Sequence, residues 1–307
     1  MKQKNYDDYW FHYVLSENPI KIKEAIKETN IVSEDIKIHV DIYGDEFLTD
    51  KNIIFIHGTS VYGKFYAEFC YNLLKQGYRV FAPDLIGHGL SDGTRGHFTM
   101  ENFTNIIYDL TTHIIENYGN NVVVMGSSLG GITTLYCAAN DSRLKGAICH
   151  NAAIFNEDAY KRIINLNGVL KLLIRIIPIM TKLFPKLKLS VFIYLDFYEL
   201  AKSDKILESI DFLLKDKLFN KKYTLTAIKT QMRAPLKRPI EKIDTPIMII
   251  NGENDNLFSV GYMKELYNRI NSKNKELVII KDASHLIFQE NIQESLENII
   301  NWLEKIL

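Results

Sequence analysis

Residues 121–132 read NVVVMGSSLGGI, and this stretch decides the predicted fold. The run NVVVM is apolar and rich in valine, which predicts a buried strand, and the small residues after it predict a helix packed closely on a sheet. Between them, GSSLG places Ser128 at the centre of a G-x-S-x-G motif. A turn this sharp leaves almost no room for side chains two positions before and after the serine, and Gly126 and Gly130 meet that demand. The pattern predicts Ser128 as a nucleophile at a strand-to-helix turn.

Ser127 also stands in this turn, but a motif centred on it would need glycine where Met125 and Leu129 occur. Ser127 is therefore not expected to be the nucleophile. The motif alone leaves a second interpretation open, namely a Gly/Ser-rich turn that binds phosphate. The catalytic interpretation gains support from a carboxylate and a histidine that follow later in the chain, in the order that this kind of turn requires.

Two further apolar runs, PIMII and ELVII, each end just before a candidate catalytic residue. Asp255 follows the first run and His285 follows the second, and the 30 residues that separate them can hold one helix and one strand. All three predicted catalytic residues therefore lie on loops at one edge of the sheet. Glu253 and Asp282 are the competing carboxylates; Glu253 is expected to shape its turn, and Asp282 to lie in a surface turn.

The apolar run NIIFI ends in His57-Gly58-Thr59-Ser60. Gly58 lets the backbone approach the site closely, so we expect the amides of Thr59 and Leu129 to form an oxyanion hole. His57 precedes the serine, which is the wrong order for a catalytic base on this kind of turn. It is expected to stabilise the loop instead.

Short apolar strands alternate with helical stretches along most of the chain, which predicts an α/β protein with a buried, mostly parallel sheet. Residues 36–43 alternate apolar and polar side chains and predict an antiparallel opening hairpin. After about residue 151 the alternation of strands and helices ends. Long apolar and basic helical stretches interrupted by prolines follow. We therefore predict a core of residues 1–151 and 236–307, and an inserted helical cap of residues 152–235 over the carboxyl edge of the sheet.

The segment PDLIGHGLSDG (residues 83–93) and its continuation TRGHF resemble the monoacylglycerol-lipase and lysophospholipase-like branch of the α/β-hydrolase superfamily. The likeness covers residues 36–142 and 243–307. The resemblance implies an eight-stranded, mostly parallel sheet flanked by helices, with a helical cap and no cofactor. This branch commonly carries histidine at the position of Ser127. The difference concerns the choice of lipid substrate and does not affect the three predicted catalytic residues. His88 and His97 are expected to stabilise loops.

The composition limits the choice of partners and compartment. Lys plus Arg and Asp plus Glu both number 37, a balance that argues against a nucleic-acid-binding protein. The three cysteines lack metal-like spacing and indicate a reducing compartment. The N-terminus has no apolar signal core, so a cytoplasmic location is expected. No His, Asp or Glu spacing suggests a metal site, and the sequence leaves the oligomeric state open.

The predicted cap indicates a lipophilic substrate and a peripheral contact with membranes. Residues 159–195 contain seven Lys or Arg and no Asp or Glu, with many long aliphatic side chains. Lys171 and Arg175 would share one face of a helix, as in helices that lie in a membrane interface. An amphipathic helix packed on the core, with its lysines in solvent, would give the same pattern.

These features together predict a serine esterase with the triad Ser128, Asp255 and His285, acting on lipophilic esters such as monoacylglycerols or lysophospholipids. A thioesterase, an acyltransferase or a peptidase could use the same machinery, because the fold and triad do not determine the acyl group or the leaving group. A receptor that keeps the fold without turnover is the alternative from another class. Hydrolysis of a generic aryl ester separates an enzyme from a receptor.

Overall fold

An eight-stranded sheet organises the chain. The computed structural model describes residues 6–163 and 168–307, without the side chains of residues 6, 7 and 168–173. The strands are β1 (Ile26–Ser33), β2 (Ile36–Tyr43), β3 (Lys51–Ile56), β4 (Arg79–Pro83), β5 (Asn121–Ser127), β6 (Gly146–His150), β7 (Lys188–Ser190), β8 (Lys222–Thr224), β9 (Ile247–Gly252) and β10 (Lys275–Ile280). The main sheet has the order β1-β2-β4-β3-β5-β6-β9-β10, and its described pairs are parallel except β1–β2 and β2–β4. The predicted α/β class and antiparallel opening are confirmed.

Helices cover the sheet. They are α1 (Pro19–Glu24), α2 (Ala67–Lys75), α3 (Met100–Asn117), α4 (Leu129–Asn140), α5 (Tyr160–Ile163), α6 (Gly168–Leu183), α7 (Asp204–Leu213), α8 (Leu225–Arg233), α9 (Val260–Arg269), α10 (Ile287–Glu290) and α11 (Ile292–Ile306). Every residue of β4, β6 and β9 is buried, which requires cover on both faces of the sheet. In these layers α2 contacts α11, and α3 contacts α4. No helix in the described ranges is long and apolar enough to cross a membrane.

The structure differs from the sequence predictions in local detail. The sequence predicts one helix over residues 64–75 and another from about residue 286 to 307. The first begins as a 3₁₀ turn, Gly63–Tyr66, and the second is divided at Asn291 into α10 and α11. Strand β6 is not among the predicted strands. This strand reads GAICH, and its glycine and alanine carry little of the β-branched signal that marks the neighbouring strands.

The segment predicted as the cap is mostly helical, but not entirely. Helices α5 to α8 lie within it, and β7 pairs with β8 as a separate antiparallel sheet. The expectation of an all-helical insertion is wrong in this respect, because strands of three residues are too short to show an alternating pattern. The limits at residues 152 and 235 stay a prediction.

The β8 end of the cap is bonded to loops at the carboxyl edge of the main sheet. The backbone amides of Asn220 and Thr224 donate to the carbonyl oxygens of Ser60 and Gly96. The Tyr223 hydroxyl accepts from the Ser60 amide at 2.6 Å and lies 3.0 Å from His88 Nε2. These contacts attach the cap to the loops after β3 and β4, at the edge where the sequence analysis places it.

We expect opposite effects from adding a methyl group to two helical glycines. A Cβ at Gly131 in α4 would lie 2.0 Å from the backbone oxygen of His150 on β6, whereas one at Gly261 in α9 meets nothing within 4 Å. Gly131→Ala should lower the free energy of unfolding by about 1–3 kcal/mol through overpacking. Gly261→Ala should raise it by up to about 1 kcal/mol. Urea unfolding measures both, and a Gly131→Ala protein as stable as the parent would contradict the close packing of α4 on β6.

Candidate active site

Ser128 occupies the turn between β5 and α4 in a strained backbone conformation. Its φ is 56° and its ψ is −117°, a region that residues with a side chain rarely adopt. A Cβ at Gly126 would lie 2.4 Å from the backbone oxygen of Gly130, and one at Gly130 would lie 2.1 Å from that of Ile56. Both glycines are thus required by close backbone approach, as the motif predicts. Ser128 is half-buried and lines a cavity.

Asp255 and His285 are bonded to each other on the loops that follow β9 and β10. Their Oδ2 and Nδ1 atoms lie 2.8 Å apart, and both side chains are almost completely buried. The other carboxylate oxygen of Asp255 accepts the backbone amides of Leu257 and Phe258 at 2.8 and 2.9 Å. The Phe258 ring stacks on the His285 ring. The carboxylate and the imidazole are therefore held in one orientation by backbone and aromatic contacts.

The charge state of Asp255 follows from two opposing effects. Burial by itself would raise the pKa of its carboxyl group, but attraction and hydrogen bonding to His285, with the Phe258 amide, lower it to about 2. Asp255 is thus ionised at neutral pH. An ionised carboxylate at Nδ1 keeps that nitrogen protonated and leaves Nε2 of His285 as the basic nitrogen.

Thr59 and Leu129 line the same cavity as Ser128 and His285. Leu129 is the first residue of α4, where amides have no partner within the helix. His57 stabilises the loop that carries Thr59: its Nδ1 donates to the Gly58 oxygen at 2.9 Å, and its Nε2 accepts the Leu85 amide at 3.1 Å. The expected loop-stabilising role of His57 agrees with these bonds.

The cavity beside Ser128, hereafter the catalytic cavity, is apolar. Residues from the loop after β3, the cap segment and the loops that carry Asp255 and His285 line it. Among the described lining residues none is Asp, Glu, Lys or Arg. Its walls include Val61, Phe65, Ile132, Phe155, Leu195, Phe197, Leu200, Ile210, Leu213 and Leu257. Such a surface suits an apolar group and offers no counter-charge to an ionised one.

The competing carboxylates lie outside this cavity. The exposed Glu253 accepts the backbone amide of Asp282 at 3.0 Å, and Asp282 is exposed with a φ of 55°. Their expected roles in turns agree with this geometry. His88 and His97 contact Tyr223 and Thr224 of the cap at 3.0 Å and are not among the residues that line the catalytic cavity.

Two residues that no sequence pattern marks contact Asp255 and His285. Asn151 has a φ of 67°, and its Nδ2 donates to Asp255 Oδ2 at 2.9 Å and to Asn251 Oδ1 at 2.6 Å. His150 packs its ring 5.4 Å from that of His285, and its Nδ1 lies 2.9 Å from Ser127 Oγ. His150 is the last residue of β6 and Asn151 comes directly after it. Identification of that strand would therefore have placed both residues at the carboxyl edge of the sheet.

Potential metal ligands also come together, contrary to what spacing along the chain suggests. In the described ranges, ligand atoms of His150, Asp255 and His285 lie within 4.8 Å of one another. Glu28, His39 and Asp41 form a second group, where the Lys64 ammonium lies 3.4 Å from Asp41 and supplies positive charge. In the first group, Asp255 and His285 are already bonded to each other. The expectation that no metal is needed stays a prediction.

The chain is similar to known proteins over most of its length. The sequence profile of the family described as serine aminopeptidase, S33, matches residues 49–292. The monoglyceride lipase homolog of Monkeypox virus is 26% identical over 263 residues, which cover 82% of this chain and 89% of that protein.

Solved structures show the same fold. The monoacylglycerol lipase of Paleococcus ferrophilus superposes with a TM-score of 0.69 at 20% identity, covering 92% of this chain and 99% of that one. A soluble variant of the Saccharomyces cerevisiae monoglyceride lipase, in complex with a substrate analog, gives 0.70 at 19% identity, covering 92% and 97%.

The His150→Gln variant should show a weaker pH dependence of stability below neutrality. Burial, together with the nearby His285, lowers the pKa of His150 from 6.5 to about 3. Between these values the unfolded chain binds a proton that the folded chain does not, so stability falls as pH decreases from 6.5 towards 3. Asp255, with its pKa near 2, loses its contribution only as the pH falls from about 4 towards 2.

The measurement is urea unfolding of both proteins at several values between about pH 7.5 and about pH 4.5. The parent should lose more stability than His150→Gln over that interval, whatever their difference at neutral pH. Burial also lowers the pKa values of His57 and His88. Both residues are present in both proteins, so they contribute equally to the pH dependence of the two curves. Parallel curves would contradict a neutral, buried His150.

Proposed function

Since the chain belongs to the serine aminopeptidase S33 family, a family of hydrolases within the α/β-hydrolase superfamily, we propose that it hydrolyses lipophilic carboxylic esters through an acyl-enzyme intermediate on Ser128. The superfamily and fold predicted from the resemblance are confirmed, and the protein is an enzyme. The ester substrate, the triad Ser128, Asp255 and His285, and the acyl-enzyme are the proposal.

In this mechanism His285 Nε2 takes the proton of Ser128 Oγ as that oxygen attacks the ester carbonyl carbon. The amides of Thr59 and Leu129 donate to the developing oxyanion. His285 then protonates the leaving alcohol, and the same residue activates a water molecule that releases the acid and regenerates Ser128. Asp255, bonded to His285 Nδ1, stabilises the imidazolium that forms in both steps.

One observation carries the proposal: Ser128, in its strained turn, and His285, bonded to the ionised Asp255, line one apolar cavity. The strained turn presents a serine hydroxyl, and the bonded pair supplies a base for it. The apolar walls favour an aliphatic acyl group. An aminopeptidase would instead need a carboxylate to bind the substrate's ammonium group, and the described lining residues include none.

The names of relatives support the same substrate class. The Monkeypox virus, Paleococcus and Saccharomyces proteins are described as monoglyceride lipases or their homolog. The ester of a monoacylglycerol combines a polar leaving alcohol with a long apolar acyl chain, which suits the catalytic cavity. A cytoplasmic location belongs to the proposal too, and the three buried, unpaired cysteines fit it.

The Ser128→Ala variant should lower hydrolysis of p-nitrophenyl esters by at least about a thousandfold, because removal of the nucleophile disables the whole triad. A fluorophosphonate probe should label the parent on the peptide that contains Ser128, and mass spectrometry should find no label on the variant. The fold should survive, since alanine is smaller than serine at a half-buried site.

Ser127→Ala is the matched control for labelling. The hydroxyl group that this variant removes contacts His150, and Ser127 does not line the cavity. That variant should still react with the probe at Ser128. Labelling of Ser128→Ala, or loss of labelling only in Ser127→Ala, would contradict the proposed nucleophile.

We further propose that the cap touches membranes through the outer side of α6 and the segment after it. Ile179 and Leu183 are 63% and 68% exposed, and Phe184 and Leu187 are exposed as well. On the opposite side of the helix, Ile177 is buried. The apolar residues of α6 are thus divided between an inward and an outward side, and the outward ones have no described cover.

Exposed basic residues flank this apolar strip, namely Arg175, Lys182, Lys186 and Lys188. Lys171, which the sequence analysis pairs with Arg175, has a side chain outside the described residues. A basic rim around exposed aliphatic side chains is typical of surfaces that lie in an anionic membrane interface. Each Lys or Arg near such a leaflet contributes about 1 kcal/mol.

Reversal of two rim charges, Lys182→Glu with Lys186→Glu, should weaken binding to anionic liposomes by at least about tenfold, since attraction becomes repulsion. Co-sedimentation at low and high salt measures the effect, and binding of the parent should decrease as salt increases. The control is Lys264→Glu with Lys273→Glu. These two lysines are exposed as well, but they lie in the α/β part of the chain, outside the cap segment. Equal loss in both double variants, or no binding by the parent at low salt, would overturn this contact.

A further inference from the structure

The end of β6 lies between the two halves of the proposed catalytic site. Strand β6 pairs with β5 on one side and with β9 on the other, and these neighbours lead to Ser128 and Asp255. The backbone oxygen of His150 accepts the Ser128 amide at 2.9 Å. Asn151, the next residue, is completely buried and does not line the catalytic cavity. Its side chain is therefore placed to act on the proposed catalytic groups and not on a substrate.

The orientation of the Asn151 side chain is fixed by its partners. Its Nδ2 lies 2.9 Å from Asp255 Oδ2 and 2.6 Å from Asn251 Oδ1. An ionised carboxylate can only accept, so the amide nitrogen must face it. The Nδ2 atom of Asn251 donates to the backbone oxygens of Gly252 and Phe258 at 2.8 and 3.0 Å, which leaves Oδ1 for Asn151. Neither carboxamide can turn over without placing two acceptors together.

Two features of Asn151 are unfavourable by themselves. Its φ of 67° lies in the left-handed region, which residues with a side chain adopt infrequently. In the described part of the chain, its Oδ1 is buried without a hydrogen-bond partner. Strained backbone and unpaired buried polar atoms persist where the surroundings enforce them, and they concentrate at functional sites. Both features therefore indicate that this side chain is required beside Asp255.

Asn151 completes the set of donors around the Asp255 carboxylate. A carboxylate has about four acceptor positions. Two backbone amides bind Oδ1, while His285 Nδ1 and Asn151 Nδ2 bind Oδ2. Without the Asn151 amide, Oδ2 keeps only the imidazole, and the carboxylate is free to tilt about its Cβ–Cγ bond. Because the His285 ring is bonded to that oxygen, a tilt would move the ring as well.

We propose that Asn151 is a positioning residue for the hydrolytic reaction. Its carboxamide holds Oδ2 of Asp255, and through that atom the ring of His285, in the orientation that directs Nε2 to the Ser128 hydroxyl. This inference rests on the proposed ester hydrolysis. Since Asn151 does not line the catalytic cavity, it affects the rate at which the serine reacts and not the binding of a substrate.

The first test removes the carboxamide and measures inactivation by a fluorophosphonate, which separates binding (KI) from reaction with Ser128 (kinact). Asn151→Gly suits the purpose because glycine adopts a positive φ readily. We expect kinact to fall by about tenfold to a hundredfold, as for a misplaced catalytic group, while KI stays unchanged. Asn52→Ala is the matched control. Asn52 is also completely buried and bonded, to Asp50 and Arg79, but it lies at the amino end of β3, and this variant should keep kinact.

The same measurement in the Asp255→Asn background distinguishes positioning from a folding defect. If Asn151 acts through Asp255, Asn151→Gly should cause no further loss of kinact once the carboxylate is gone. A general defect would lower kinact by the same factor in both backgrounds, and that result would overturn the inference. An unchanged kinact in Asn151→Gly alone would overturn it too.

A spectroscopic readout separates this inference from the proposed function. The Nδ1 proton of His285, bonded to a carboxylate, should give a downfield proton NMR resonance that is absent from His285→Ala. Asn151→Gly should shift or broaden this resonance, whereas Asn52→Ala should not. If the resonance moves but the parent neither hydrolyses esters nor reacts with the phosphonate, the positioning role stands and the proposed function is refuted. An identical resonance in Asn151→Gly and the parent would refute the positioning role, whatever the activity.

Discussion

The tight turn from β5 into α4 is the constraint on which the rest of the site depends. A methyl group on Gly126 or Gly130 would overlap backbone atoms of α4 or β3. The helix can therefore begin immediately after Ser128, and the serine adopts a positive φ instead of relaxing. This conformation is kept because the surrounding sheet and helix restrict it on both sides. As a result Ser128 and Leu129, the first residue of α4, line one cavity.

The buried carboxylate of Asp255 depends on a complete set of hydrogen-bond donors. Two backbone amides, the Asn151 amide group and His285 surround it. Burial of a charge without such partners is strongly unfavourable, and their presence lowers the pKa to about 2. The donors come from the ends of β6, β9 and β10, so the parallel arrangement of these strands is what holds the acid ionised beside its histidine.

Sequence patterns predict the parts of this site that backbone chemistry determines locally. The glycine spacing around Ser128, and the ends of the runs PIMII and ELVII, are enough to locate the serine, the acid and the histidine at one edge. Asn151 and His150 are not predicted, because their strand begins with Gly146 and Ala147 and their partners are 104 and 135 residues away, at Asp255 and His285. Contacts across such separations depend on strand order, which periodicity does not contain. The β7–β8 pair is not predicted for a local reason, because its strands are too short to show a periodic pattern.

The bonds of Tyr223 join the cap to the loops after β3 and β4, so the cap is not an exchangeable module. The Tyr223 hydroxyl accepts the Ser60 amide, one residue from Thr59, and contacts the buried His88. A cap transplanted from another protein without a tyrosine at this place would leave an amide and an imidazole nitrogen unsatisfied beneath it. Recombination at the limits of the cap is therefore constrained by the loop after β3. The cap and this loop are expected to diversify together, as a single inherited unit.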